Sequence, residues 1–141
     1  MEDKERFEQG MAVRRAVLGD EWVDQAQSKS NAFTADFQDF ITRYAWGEVW
    51  SRPGLDRRSR SLMTLSMMIA LGRWDEFRLH VRAALNNGLT VDEIKEVILH
   101  SAIYAGLPSA NTAFAEATEA LKSCGIDVDA GDPAKTRPSV D

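Results

Sequence analysis

The stretch "RRSRSLMTLSMMIALGRWDEFRLHVRAALNNGLTVDE" spans residues 57–93, and its punctuation decides the fold. Asp56 stands in front of a long apolar-periodic run as a helix N-cap, and Gly72 ends that run. Trp74 to Asn87 repeats apolar residues at helical spacing, with Gly88 placed as a C-cap. "TVDE" at 90–93 then has the form of a capping box, Thr90 as N-cap and Glu93 three residues on. No convincing polar–apolar alternation interrupts the series, so the spacing predicts consecutive helices and no strand.

Working outward, the same reading covers the chain. Downstream, the helix opened by Thr90 runs to Tyr104–Ala105 and stops at Gly106. A last helix starts near Pro108 or Ser109 and ends around 123–125. Residues 126–141, "IDVDAGDPAKTRPSVD", are polar and turn-rich and read as a flexible tail. Upstream, "SRPGLD" at 51–56 is a turn. Phe33 to Val49 reads as one helix carrying Phe37, Phe40, Ile41, Tyr44 and Val49. A short helix covers Asp20 to about Gln27, and Glu5 to Leu18 is amphipathic, with Phe7, Met11 and Val17 or Leu18 inward. The expectation is an all-α chain: one compact domain over residues 1–125, with six or seven helices and short loops.

Composition narrows the functional classes. The 141 residues are 44% hydrophobic and 28% charged, an ordinary globular mix with enough chain to bury a core. A net charge of −5 disfavours a phosphate backbone, so no nucleic-acid partner is expected. "MEDKERFEQG" lacks the apolar stretch of a secretory signal. The longest nearly apolar run, Leu62–Leu71, is about half of a membrane span. A cytoplasmic protein without membrane contact is expected. Cys124 is the single cysteine, which excludes an intrachain disulfide, a Cys-x-x-Cys pair and a cysteine-rich zinc site. With two histidines in the chain, neither metal nor dithiol chemistry is expected.

Four places hold candidate chemistry, each with a plain structural alternative. His80 follows Glu76 by four residues, so the two can meet along a helix. Such a pair is either a partly exposed histidine beside a surface glutamate or an acid/base group oriented by it. His100, between "EVIL" and "SAIY", reads as a core or interface histidine. Arg52, Arg57, Arg58 and Arg60 crowd a helix start, where cations oppose the macrodipole. They are either solvated charge and subunit salt bridges or a clamp for carboxylates. "ITRYAWGEVWSRPG", residues 41–54, packs Arg43, Tyr44, Trp46, Glu48 and Trp50 together. That density suits a core or interface, or a pocket in which Glu48 carries a proton. "YAGLPSANTAF" at 104–114 joins two helices, and Tyr104 and Asn111 are placed to reach a pocket.

"FTADFQDFITRYAWGEVWSRPGLDRRSRSL" at 33–62, followed by "ALGRWDEFRLHVRAALNNGLTVDEIKEVILHSAIYAGLPSANTAF" at 70–114, resembles the carboxymuconolactone decarboxylase family. The family lies within the alkyl-hydroperoxidase-like superfamily, and the resemblance covers roughly residues 11–122 in order and spacing. Redox members of that superfamily carry Cys-x-x-Cys-x-x-x-His on the same helix, with a glutamate upstream. Here the cysteine positions are Arg73 and Glu76, the glutamate position is Ser61, and His80 alone remains. Thiol turnover needs thiolates, so the redox branch is excluded.

What the resemblance implies is cofactor-free loss of CO₂ from 4-carboxymuconolactone to the β-ketoadipate enol-lactone, in protocatechuate catabolism. The unsaturated lactone is its own electron sink, so the protein need only hold a dicarboxylate, stabilise the dienolate and protonate carbon. On that reading His80 donates the proton or hydrogen-bonds the dienolate oxygen. Glu76 or Glu48 orients it or relays the proton. Arg43, Arg58 and Arg73 bind the carboxylates, and Trp46 and Tyr104 line the site. The resemblance further implies a ring-forming homo-oligomer, a trimer or a hexamer. Two other readings stay open: a related lyase or isomerase acting on another small carboxylated lactone, and a non-catalytic helical oligomer binding an aromatic acid or a partner helix.

Overall fold

The computed structural model describes residues 1–130. Their regular structure is seven α-helices and one π-helical segment, with no strand among the described residues. The helices group into two compact units, residues 1–60 and Ser61 onward, and each is built on a different physical basis.

In the first unit, α1 (Asp3–Leu18) meets α2 (Asp20–Ser28) through Gly19, whose φ of 92° is the left-handed turn that glycine allows. Val13, Val17, Leu18 and Val23 form the small apolar interior. The single helix expected over Phe33–Val49 is instead two elements. Asn31 delays the start, because its side-chain oxygen accepts from the Phe33 and Thr34 backbone N–H groups at 2.9 and 3.1 Å. Then α3 (Ala35–Ile41) runs into a π-helix over Thr42–Trp50.

A π-helix closes i→i+5 rather than i→i+4 bonds, so its faces fall at wider spacing. The buried side of this one is Thr42, Trp46 and Gly47. The residues that announced a regular helix, Phe37, Phe40, Tyr44 and Val49, lie exposed in this chain. The wider turn is locked against α1 by two glycines. A Cβ on Gly10 would land on the Thr42 carbonyl oxygen, and one on Gly47 on the Arg6 carbonyl oxygen. Backbones this close leave no room for any side chain at either position.

The second unit contains most of α4 (Arg57–Leu71), followed by α5 (Trp74–Asn86), α6 (Val91–Ala105) and α7 (Leu107–Ser123). Its boundaries follow the sequence signals closely. Asp56 caps α4 by accepting from the Ser59 N–H at 2.7 Å, and that bond holds its carboxyl below the usual pKa. Both capping-box bonds at Thr90 and Glu93 form, at 2.9 and 3.1 Å. Gly88 takes φ 92° after α5, and the Leu89 N–H returns to the Ala84 carbonyl at 2.9 Å, closing a Schellman turn.

The core here is apolar and continuous. Leu65, Ile69, Phe77, Val81, Ile94 and Ile98 are buried, and α7 meets them with Ala110, Ala113, Ala117 and Ala120. Small residues on one helix admit large ones from its neighbours, so the helices can approach closely. Trp74 packs edge-on to Phe77, with ring centres 5.7 Å apart. Arg78 pairs with Asp75 on its own helix and with Glu116 on α7. Ile126 and Val128, in the expected tail, pack against this core; residues 131–141 of that tail lie outside the described residues. No described helix is long and apolar enough to cross a membrane.

Candidate functional site

The candidate residues fall on a few short segments, and each is best built from its own helix. On α5, Phe77, Val81 and Ala84 point into the core. His80 follows Phe77 by three residues and so sits at the margin of that buried face. Its ring is half-buried, with Nδ1 sealed from water. Burial disfavours the imidazolium and pushes the His80 pKa down to about 4, a shift only partly opposed by the Glu76 carboxylate. Glu76 itself is exposed, and its carboxylate acts on the ring electrostatically. At neutral pH His80 is therefore an uncharged imidazole, with one ring nitrogen able to donate and the other able to accept.

Arg73 is exposed and occupies the N-cap position of α5, where its backbone N–H bonds the Met68 carbonyl at 2.9 Å. On α4, Ser61 is fully buried and its Oγ accepts from Asn87 Nδ2 at 2.8 Å. At the end of α6, Tyr104 is 80% exposed and stacks on His100, with ring centres 5.1 Å apart. Of the core and interface readings of His100, the exposed ring in this chain excludes the core one. The reason is rotational: Ile94, Ile98 and Ser101 take the buried stripe of α6, which leaves position 100 outside it. His100 lines an open groove of about 550 Å³ with Leu62, Met63, Ser66, Met67, Glu93, Glu96 and Val97.

In the first unit, the π segment places Arg43 half-buried and Trp46 buried, with Trp46 and Trp50 rings 5.2 Å apart. Glu48 is exposed. It pairs with Arg52 at 3.3 Å and more loosely with Arg6 at 3.9 Å. A carboxylate between two guanidiniums is not the apolar, tryptophan-lined acid that its sequence neighbours suggested. Arg58 is exposed near the start of α4.

One residue of evident consequence escaped the sequence reading. Arg14, on α1, is 3% exposed, and its η nitrogens donate to Thr42 Oγ1 at 3.2 Å and Gln38 Oε1 at 2.9 Å. Its guanidinium also lies over the Trp22 ring, 5.8 Å from the centroid. The available signal was its position, since Arg14 occupies the inward face between Val13 and Val17. Burial, with the neighbouring Arg15 charge adding to it, lowers the Arg14 pKa below its ordinary value.

Known proteins share this pattern of residues. A 4-carboxymuconolactone decarboxylase from Acinetobacter baylyi is 54% identical over 126 residues, which is 89% of this chain and 94% of that protein. A nitrosuccinic acid decarboxylase from Metarhizium robertsii is 50% identical over 103 residues, 73% of this chain and 72% of its own. A 48-residue match at 52% identity spans the whole of a 4-carboxymuconolactone decarboxylase sequence from Pseudomonas putida. The family model described as "Carboxymuconolactone decarboxylase family" matches residues 35–119, from the start of α3 into α7. The chain belongs to the carboxymuconolactone decarboxylase family.

Proposed function

We propose that this protein is a carboxy-lyase that converts 4-carboxymuconolactone to the β-ketoadipate enol-lactone without a cofactor, as a cytoplasmic enzyme of aromatic catabolism. The observation that carries this reading is the 54% identity to the Acinetobacter enzyme across 89% of the chain. Carbon dioxide leaves from the carbon next to the double bond, and the electron pair passes through that bond to the lactone carbonyl. The enzyme must then stabilise the dienolate oxygen and deliver a proton to carbon.

His80 suits this work as a neutral group. With a pKa near 4, it does not wait as an imidazolium; its N–H is a preorganised donor for the developing oxyanion. A bound dicarboxylate would raise its pKa again, so that the proton becomes available only when substrate is present. Arg43, Arg58 and Arg73 are the guanidiniums assigned to the two carboxylates, which they grip in a bidentate way. Trp46 and Tyr104 supply apolar surface. A dry setting around the departing carboxylate favours its loss. Glu76 tunes His80 through space, and Glu48 holds Arg6 and Arg52.

The active form on this reading is a ring of identical subunits, a trimer or a hexamer. Its support is the amount of apolar side chain the isolated subunit leaves in water. Met63, Met67 and Leu71 form an exposed row on α4, and Ile103, Tyr104 and Leu107 are each more than two-thirds exposed. Surfaces of this kind mark interfaces.

The test is to supply the lactone and follow CO₂ and enol-lactone formation. His80→Ala should lose roughly 10²–10⁴ in kcat/KM, and a loss within about tenfold would remove His80 from the chemistry. Arg58→Ala and Arg73→Ala should raise KM, and an unchanged value would take that arginine out of the clamp. The Metarhizium relative favours a second reading, a different small dicarboxylic acid as substrate. A nitro group, like the lactone, can accept the electron pair that a carboxylate leaves behind. Comparing turnover of nitrosuccinate and of the lactone decides between them.

A further inference from the structure

The first unit contains a second cavity, of about 250 Å³, between α1 and the α3–π junction. Arg14 lines it. A buried guanidinium normally meets a carboxylate, because desolvating an ion costs several kcal/mol that neutral partners recover only in part. Here the partners are a hydroxyl and an amide, Thr42 and Gln38. Among the described residues no carboxylate lies within ion-pairing distance of Arg14, and its Nε has no hydrogen-bond partner.

We propose that this cavity binds a small monocarboxylate with a compact apolar body, its carboxylate held by Arg14. Several independent features converge on that ligand. Thr42 and Gln38 fix the plane of the guanidinium, and each η nitrogen carries a further N–H, which suits bidentate capture of a carboxylate. Phe7 and Met11 supply one apolar wall in a cavity otherwise lined by polar side chains, Gln27 and Ser30 among them, a match for a carboxylate with a small hydrocarbon body rather than for a bare inorganic ion. Asp39 also lines it, exposed and, among the described residues, in no ion pair. One fixed cation and one nearby anion favour a ligand of single negative charge and penalise a dianion. Thr42 is the first residue of the π segment, so occupancy reaches that element directly.

The experiment uses the full chain, with benzoate and acetate as monocarboxylate probes, succinate as a dianion and chloride as an ionic-strength control. Amide chemical shifts report the location and titration calorimetry the affinity. Benzoate should bind saturably and more tightly than acetate, with the largest shifts at Phe7, Met11 and Thr42. Arg14→Met, which keeps the volume and removes the charge, should weaken benzoate at least tenfold while circular dichroism stays helical. Asp39→Asn alters an exposed side chain and should fold normally. It should tighten benzoate severalfold and bring succinate into range. No saturable benzoate binding, binding unchanged by Arg14→Met, shifts centred away from Phe7 and Thr42, or no gain in Asp39→Asn would each overturn the proposal.

Discussion

Arg14 in the first unit and His80 in the second are both basic side chains drawn out of water, and they meet that cost by opposite means. Arginine cannot release its proton at any ordinary pH. Arg14 is therefore held charged by what surrounds it: Thr42, Gln38 and the face of Trp22. Histidine can let its proton go, and His80 does so, with its pKa pushed down to about 4 beside the buried Phe77 and Val81. One environment preserves a permanent cation, which suits holding an anion. The other yields a neutral group that responds when charge arrives, which suits moving a proton.

The two can be separated by experiment, and the larger effect belongs to His80. Its folded-state pKa lies below its ordinary value of 6.5. Stability is therefore complete above about pH 6.5 and falls as the pH drops toward 4, where the unfolded chain takes up a proton that the folded chain refuses. The loss should approach about 3 kcal/mol by pH 4, read from urea midpoints across that window. His80→Gln should abolish this portion of the pH dependence, and parallel curves for the two proteins would show that burial of His80 is not its source.

Arg14 should leave the same pH window unmarked, and its effect lies in the choice of replacement. Arg14→Ala opens a cavity and strands the polar atoms of Thr42 and Gln38, at a cost of about 2 kcal/mol. Arg14→Met loses the same two hydrogen bonds but refills the volume and removes an ion that lacks a carboxylate, so it should be less destabilised than Arg14→Ala, within about 1 kcal/mol of the parent. A large loss in Arg14→Met, measured by the same urea midpoints, would show that the charge itself holds α1 to the π segment.

Legibility differed between the units for a related reason. In the second unit local chemistry and tertiary packing agree: Gly88 and the Thr90–Glu93 box each make the bond that their residue types announce. Short-range signals suffice where the partner is a few residues away. In the first unit they do not. Nothing local at Thr42–Trp50 signals a π-helix, because the cause lies on α1, where Gly10 admits the Thr42 carbonyl at backbone contact. The site divides in the same way. His80 was visible as the residue left standing where Arg73 and Glu76 replace cysteines, but its neutrality was not. Spacing said that Glu76 could reach it, and the Glu76 carboxylate, though exposed, does act on the ring electrostatically. Glu48 shows the opposite, since its sequence neighbours are tryptophans and its contacts in space are Arg6 and Arg52.

By itself, then, the sequence determined the all-helical character, most helix boundaries, the family pattern around His80 and the absence of a thiol pair. These are properties of spacing and residue type, which act over a turn or two of helix. Tertiary structure alone decided the π segment, the exposure of His100 and Tyr104, the neutral state of His80 and the buried Arg14 beside its cavity. Each of those depends on which surfaces lose water, and desolvation is set by residues distant in the chain.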